Sequence, residues 1–370
     1  MNNYVHIVIL AGENSGDQIA ADLIFRLKSE HANVSFSGVG GQKMAEQGVN
    51  LLADYRNIAI MGFGDIVKKV LQLLQLKRSL KKHFQSKKPN LLICVDYPGF
   101  NLSMASTAKK CGIPVLYYVC PKIWASRKKR SVRIKRDVDE LIAILPFEEI
   151  FFNALDIPVT YVGHPLMSHI KKEKPNYPIQ KVLLMPGSRD SEIKRLAPLM
   201  CEVGLMLHAQ YGVTFAMPMA NNNQRSLLHE AFAPLIEQEI AACFEGSDGY
   251  AQADYAIVAS GTATLELAKR GIPMQVVYRL DRLSYWIARR IVTVQSFSLC
   301  NLIAGKTIVP ELIQTDATPE NVCAIVSEHF QHPEQLEKMK NDLAAVIASL
   351  GDFKQTLLIE KVLQFLPFPL

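Results

Sequence analysis

The feature that most constrains the fold is an alternation of short apolar runs with helix-length segments. In the first half, "VHIVIL" (5–10), "LLICVD" (91–96), "VLYYV" (115–119), "ELIAILP" (140–146) and "VTYVG" (159–163) are each bounded by Gly, Pro or charge. Runs this short and this uniformly apolar fit strands covered on both faces, as in parallel sheets. Between the first runs, Ile19, Leu23, Ile24 and Leu27 lie at helical spacing within 17–29. The pattern predicts a βαβ series on a parallel sheet. The polar, proline-containing stretch "KKEKPNYPIQ" (171–180) interrupts it and is read as a linker. A second series begins at "KVLLMPGSR" (181–189) and continues through "VTFAM" (213–217), "AACFEG" (241–246), "ADYAIVAS" (253–260) and "MQVVYR" (274–279). The expectation is one α/β domain over 1–170, a second over 181–345, and a C-terminal helical segment over 346–370. That segment, amphipathic over 353–366, is expected to pack back on the first domain or on a partner subunit. Two such domains imply a cleft, with ligands outside the C-terminal strand ends.

The 370 residues suffice for two sizeable cores. None of the seven cysteines forms a CxxC pair, which argues against a structural zinc site or disulfide framework and fits a reducing cytoplasm. The start has no basic segment before its short apolar run and reads as a first strand. No apolar run approaches the ~20 residues needed to span a bilayer. The net charge of +6 is concentrated in 67–88, 121–136 and 278–291, each mixed with apolar or aromatic residues. Such clusters suit nucleic acid, an anionic membrane face or a phosphorylated ligand. The lack of any RNP, zinc-finger or helix-turn-helix signature argues against nucleic acid.

Five strand-to-loop junctions carry chemistry-bearing residues. In "LAGENSGDQIA" (10–20), Asp17 or Ser15 serves as a cap for the following helix, or meets a ligand; capping leaves Glu13 without a role. In "CVDYPGFNLSMA" (94–105), Asp96 ends an apolar strand, where partial desolvation would raise its pKa toward that of a general base; the alternatives are a helix cap or a partner for a buried Arg. In "YVGHPLMSH" (161–169), His164 before Pro165 is either structural or a ligand for a sugar or phosphate oxygen. In "LLMPGSRDSEIKR" (183–195), Arg189 follows a Pro-Gly-Ser188 turn and offers a planar fork suited to phosphate, with Glu192 placed to cap or balance it. In "IVASGTATLELAKRGIPM" (257–274), the turn Ser260-Gly261-Thr262-Ala263-Thr264 opens a helix that carries Glu266. Free N–H groups at a helix start attract phosphate, and a carboxylate nearby suits ribose hydroxyls. Walker A, GxGxxG and metal-binding DxD signatures are absent, "DVD" (137–139) lying in a basic helical stretch. A nucleotide-linked donor in the second domain, facing an acceptor and a base in the first, is the layout of a metal-independent glycosyl transfer.

The motifs "AGENSGD" (11–17), "MGFGDIV" (61–67), "DYPGFN" (96–101), "PKIWASRKKR" (121–130), "LPFE" (145–148), "GHPL" (163–166), "MPGSRDSEI" (185–193), "SGTATLE" (260–266) and "NLIAGKTIVPELIQ" (301–314) occur in one order along nearly the whole chain. In this combination the chain resembles the bacterial lipid-A-disaccharide synthase family. The resemblance implies a GT-B fold, two Rossmann-like α/β/α domains facing a central cleft. It implies transfer of 2,3-diacylglucosamine from UDP-2,3-diacylglucosamine to the 6-hydroxyl of 2,3-diacylglucosamine 1-phosphate (lipid X), with inversion and release of UDP. No cofactor or metal is implied. Asp96 is implied as the base and Glu266 as the ribose ligand. The reading of the residues adds Arg189 as catalytic and Glu13, Ser15, Asn101, His164, Ser188, the 260–264 turn and Asn301 as substrate-binding. The peptidoglycan N-acetylglucosaminyltransferase and UDP-sugar 2-epimerases share the fold, but "AGENSGD" and "DYPGFN" argue against them. Acylated substrates imply a peripheral enzyme on the cytoplasmic face of the inner membrane, and a homodimer is compatible with the family. Apolar and basic residues of 66–84, including Val67, Val70, Leu73, Leu74, Lys77 and Arg78, would meet the anionic surface, with Leu73 and Leu76 as the leucines to test. Trp286 and Arg289 would add a second contact.

Overall fold

The computed structural model describes residues 5–31, 33–56, 66–126, 128–165, 170, 172–173, 175–219, 224–281, 285 and 296–367, the side chains of 66–69, 128 and 247 excepted. The chain divides into two compact units, Met1–Pro165 with Asp352–Leu370, and Leu166–Gly351.

In unit 1 the order is β1 (Val5–Ala11), α1 (Asn14–Glu30), β2 (Val34–Gly40), α2 (Gln42–Glu46), β3 (Asn50–Asp54), α3 (Ile66–Lys87), β4 (Leu91–Val95), α4 (Pro98–Lys110), β5 (Val115–Tyr118), α5 (Ser131–Asp137), β6 (Glu140–Ala143), α6 (Pro146–Asn153) and β7 (Val159–Tyr161). The described strands form a parallel sheet of order β3-β2-β1-β4-β5-β6-β7. Every residue of β4 and β5 is buried, as expected for central strands with helices on both faces. Periodicity did not pick out β2, "VSFSGVG", because its serines and glycines carry no apolar signal although the strand is almost wholly buried. The apolar runs overstate the strands at their C-terminal ends: Asp96, Val119 and Ile144 already lie in turns.

Unit 2 repeats the plan with β8 (Lys181–Met185), α7 (Asp190–Tyr211), β9 (Thr214–Met219), α8 (Arg225–Ala231), α9 (Ala233–Ile236), β10 (Ala241–Glu245), β11 (Tyr255–Ala259), α10 (Thr262–Arg270), β12 (Met274–Tyr278), α11 (Leu299–Ala304), β13 (Glu311–Ile313), α12 (Pro319–Gln331) and α13 (Pro333–Leu350). Its sheet order is β10-β9-β8-β11-β12-β13, again parallel. The core between this sheet and α7 and α12 contains Leu184, Leu196, Val203, Phe215, Ile257, Val322 and Val326. The last helix, α14 (Gln355–Leu363), belongs to unit 1. Lys354 N donates to the Val162 carbonyl at 2.7 Å, and Lys361 Nζ lies 3.4 Å from Glu140 Oε1.

The α3 pattern has a definite phase. Leu76, Leu80 and Phe84 are buried in the unit 1 core, and Leu73 packs partly against it. Val70, Leu71 and Leu74 face outward at 50%, 53% and 44% exposure. Leu73 and Leu76 are therefore not the exposed leucines of this helix: the stripe at 73, 76, 80 and 84 is what anchors it to the sheet. Arg78, Lys81 and Lys82 are exposed, while Lys77 is drawn over the Phe100 ring. The side chain of Val67, and Trp286 and Arg289 altogether, lie outside the described residues. Among the described residues no helix is long and apolar enough to cross a membrane.

Candidate active site

In both sheets the strand order runs outward in one direction from β1 or β8 and in the other from β4 or β11. The chain's direction of winding therefore reverses between β1 and β4 in unit 1 and between β8 and β11 in unit 2. Such switch points open a crevice at the carboxyl ends of the strands, where ligands of doubly wound folds sit. Four of the five junctions picked out in the sequence leave the sheets at these two points.

At the unit 1 switch point, Ala11 is paired with Val95, so Gly12 and Asp96 leave the sheet side by side. Asp96 and Tyr97 both have φ of 47°, a left-handed conformation that non-glycine residues adopt at a cost. The turn is held from below. Asn101, buried in α4, donates from Nδ2 to the carbonyls of Asp96 (2.8 Å), Val95 (3.1 Å) and Leu10 (3.2 Å). The Tyr117 hydroxyl donates to the Asp96 carbonyl at 2.6 Å. Gly12 is required here: a Cβ would stand 2.4 Å from Tyr97 Cγ. The Nδ2 donors of Asn101 are thus committed to backbone carbonyls and act on the loop. Asp96 does not cap α4, whose N-cap residue is Tyr97.

Glu13 is the N-cap residue of α1 and makes no side-chain capping bond. Burial and the Glu13 charge together raise the Tyr97 hydroxyl above its ordinary pKa. Asp17 does not cap α1 either. Its carboxylate accepts from Gly41 N (2.6 Å), Lys43 N (3.0 Å) and Met44 N (3.3 Å), and so caps α2. Ser15 is half-buried in the first turn of α1. Asp137 and Asp139 of "DVD" are tied to Arg136 and Lys109.

Further along the same sheet edge, His164 is buried after β7, and burial together with the Lys122 charge lowers its pKa to about 4, so the ring is neutral. Its Nδ1 has no partner among the described residues. Glu148, not singled out from the sequence beyond its motif, is fully buried and pushed up to about 7 by desolvation. Its carboxylate accepts from Trp124 Nε1 (3.2 Å), Leu145 N (3.2 Å) and Ile144 N (3.3 Å), pinning the 121–126 loop to the start of α6.

At the unit 2 switch point, Met185 pairs with Val258, so the 186–189 and 260–264 turns emerge together. Arg189 is the N-cap residue of α7 and more than half exposed, with Nη1 2.7 Å from Glu192 Oε1. An exposed pair of this kind contributes only ~0–1 kcal/mol, so a phosphate can compete for the guanidinium. Glu192 Oε2 also accepts from Ser188 N (3.1 Å) and Arg189 N (3.3 Å). Gly187 leaves room for that carboxylate, since a Cβ would lie 2.4 Å from Glu192 Oε2. Both roles considered for Glu192, cap and counter-charge, are realised. Gln224 is buried and donates to the Ser188 carbonyl at 2.6 Å. No sequence signal marked it, because it reaches this loop from a distant segment.

The second turn is more open. Ser260 Oγ donates to the Phe297 carbonyl (2.7 Å) and Thr264 Oγ1 to the Gly261 carbonyl (2.8 Å), so both hydroxyls brace the loop. A Cβ at Gly261 would meet nothing within 4 Å. The N–H groups of Thr262 and Ala263, in the first turn of α10, have no intrahelical acceptor by helix geometry. Glu266, one turn inside, is partly exposed and has Oε1 3.2 Å from Arg270 Nη2. Asn301 is buried and fully engaged: Nδ2 donates to Glu311 Oε1 (2.6 Å) and the Val309 carbonyl (2.9 Å), and Oδ1 accepts from Ile308 N (2.7 Å) and Val309 N (3.0 Å). Both amide donors and both lone pairs are used. Asn301 therefore fixes the loop between α11 and β13 and has nothing left to offer a ligand.

Two doubly wound units, each presenting chemistry-bearing loops at its switch point, define the chain as a GT-B-fold protein. Solved structures share this architecture at low sequence identity. UDP-GlcNAc 2-epimerase from Neisseria meningitidis, bound to UDP-GlcNAc, aligns with a TM-score of 0.62 over 97% of this chain and 99% of its own, at 14% identity. The S. aureus MnaA–UDP co-structure aligns with a TM-score of 0.65 over 98% of this chain and 96% of its own, also at 14% identity. These likenesses establish the fold. The family follows from sequence: the lipid-A-disaccharide synthetase family model matches residues 7–365. The lipid-A-disaccharide synthase of Myxococcus xanthus is 36% identical over 99% of both chains, and that of Syntrophus aciditrophicus 36% identical over 93% of both. The chain belongs to the lipid-A-disaccharide synthase family.

Proposed function

We propose that the chain transfers 2,3-diacylglucosamine from UDP-2,3-diacylglucosamine to the 6-hydroxyl of lipid X, giving the β-1,6-linked disaccharide 1-phosphate and UDP. The observation that carries this reading is family membership along residues 7–365, with "AGENSGD" and "DYPGFN" at the unit 1 switch point and "MPGSRDSEI" and "SGTATLE" at that of unit 2. In this reading the acceptor hydroxyl attacks the anomeric carbon of the donor. Its proton passes to the Asp96 carboxylate, the bond from the anomeric carbon to the diphosphate oxygen breaks, and the electron pair leaves with UDP. One displacement inverts the configuration. Glu13, Ser15 and the neutral His164 ring take the acceptor side. The N–H groups at the start of α10 receive the diphosphate, and Arg189 meets the charge that develops on it, an interaction stronger in the transition state than in the ground state. Glu266 accepts from the ribose hydroxyls.

The same reading puts the enzyme on an anionic lipid surface as a peripheral protein. The support is the outward row Val70, Leu71 and Leu74 beside exposed Arg78, Lys81 and Lys82 on α3, an apolar face flanked by cations. Mass spectrometry of the products from UDP-2,3-diacylglucosamine and lipid X tests the function directly. Formation of the disaccharide 1-phosphate is expected. An epimerised UDP-sugar, or turnover only with a non-lipid acceptor, refutes it.

A further inference from the structure

We infer that Arg270 is a positioning residue that holds the Glu266 carboxylate in place for the ribose of a bound nucleoside diphosphate; the inference rests on the role proposed above for Glu266. Glu266 and Arg270 lie four residues apart on α10 and share one face. Helical side chains lean toward the helix N-terminus, so Glu266 leans toward the 260–264 turn and Arg270 leans onto Glu266. Arg270 Nη2 is 3.2 Å from Glu266 Oε1, and Nη1 is 3.4 Å from Glu173 Oε1.

This is not an ordinary surface pair. The Arg270 side chain is only 7% exposed, against 31% for Glu266. Its guanidinium carbon lies 3.9 Å from the centroid of the Tyr250 ring. Burying a guanidinium is costly unless carboxylates and an aromatic face meet it, and here two carboxylates and one ring do. Tyr250 is itself buried, and desolvation together with the neighbouring Glu266 charge pushes its hydroxyl well above the ordinary range, so it stays protonated. A helix needs none of this for stability: an exposed Glu–Arg pair at the same spacing would serve. What burial adds is a single fixed position for the Glu266 carboxylate, one turn inside the helix whose first N–H groups face the diphosphate. A planar fork gripping two carboxylates and stacked on a ring has little rotational freedom, which a lysine would retain.

Isothermal titration with UDP and with 2′,3′-dideoxy-UDP tests the inference without any lipid substrate. Wild type is expected to prefer UDP. Glu266→Gln and Arg270→Met are each expected to bind UDP about tenfold more weakly, the loss of roughly one charge-assisted hydrogen bond. Their affinity for the dideoxy nucleotide is expected to stay unchanged, and the double variant to lose no more than either single one. An Arg270→Met protein that keeps the wild-type preference for UDP, or that loses both nucleotides equally, overturns the positioning role. Glu266→Gln with Arg270 intact reports on the ribose role separately, and an undiminished preference there removes the basis of the inference. Arg270→Lys keeps the charge and guards against misfolding of the methionine variant: a partial loss of preference is expected, and an unaltered one refutes the role equally. Thermal melting confirms that each protein is folded.

Discussion

Replacing Asn101 tests how the Asp96 turn is held. Asn101 Nδ2 serves three carbonyls at the ends of β1 and β4, and its side chain is buried. Alanine removes both N–H donors. At about 1 kcal/mol net for each bond lost, and ~1–3 kcal/mol for leaving a buried carbonyl unsatisfied, the cost comes to roughly 2–4 kcal/mol. The Tyr117 hydroxyl, still on the Asp96 carbonyl, offsets part of it. The two left-handed residues, Asp96 and Tyr97, carry about 1–2 kcal/mol each of backbone cost that the lock offsets. Freed of it, the turn relaxes and Asp96 shifts. Displacement of a reacting group by about 1 Å costs up to ~10²-fold in rate. Urea unfolding of unit 1, followed by Trp124 fluorescence in a Trp286→Phe background, and turnover well below the melting temperature are the two readouts. Asn101→Asp should be worse than alanine, because it turns acceptor lone pairs toward three carbonyl oxygens. A stability change within ~0.5 kcal/mol, full turnover in a destabilised variant, or an aspartate variant better than alanine would each refute the reasoning.

Asp96→Asn is expected to lower turnover ~10²–10⁴-fold with little change in UDP affinity, and near-normal turnover in a rapid-quench assay rejects it as the base. Arg189→Ala should lower kcat more than it raises KM for the donor, and turnover should persist in EDTA; a pure KM effect, or EDTA inhibition reversed by magnesium, contradicts the leaving-group role. Two buried groups should oppose each other in the pH dependence of stability. Glu148, with its folded pKa raised to about 7, contributes stability that is full below its unfolded pKa and lost as pH rises toward 7; His164, lowered to about 4, contributes stability present above pH ~6.5 and lost as pH falls toward 4. His164→Gln should therefore lose stability as pH rises from 5 to 7, and Glu148→Gln should gain it; calorimetric melting showing the same slope in both contradicts the assignment. Leu71→Ser with Leu74→Ser should weaken sedimentation with anionic liposomes while leaving UDP titration unchanged, and equal binding would place the lipid contact elsewhere.

The sequence displayed the strand-end loops because their chemistry is local. A carboxylate after an apolar strand, or an arginine after Pro-Gly-Ser, is visible within ten residues. What a polar side chain touches across the fold is not. Asn101 and Asn301 look like ligand residues because they stand in the family's motifs, yet Nδ2 of Asn101 is spent on three backbone carbonyls and the Asn301 amide on backbone atoms and one carboxylate. Asp17 looks like a cap for its own helix, but the close return of β2 brings the N-terminus of α2 to it instead. Gln224 and Glu148 were silent because their partners are brought to them by the fold, not by nearby sequence. On α3 the period was plain, but its phase depends on which stripe meets Val8, Leu10 and Phe100 in the unit 1 core. Only the placed sheet separates Leu76 from Leu74.

The return of α14 to unit 1 has a consequence for the timing of folding during synthesis. Unit 1 is interrupted in sequence by all of Leu166–Gly351, so it is the first unit to begin and the last to be completed. While the ribosome makes unit 2, β7 waits with the Val162 carbonyl that Lys354 will later satisfy, and Glu140 waits for Lys361. The intervening unit carries both ends of its own sheet and can close without that delay. A nascent chain therefore passes through a stage with a finished C-terminal half and an unsealed N-terminal half, and exposed apolar surface at that stage is what chaperones recognise. Emergence of Asp352–Leu370 closes unit 1, so the unit that carries the Asp96 turn reaches its final packing only after unit 2 has been made.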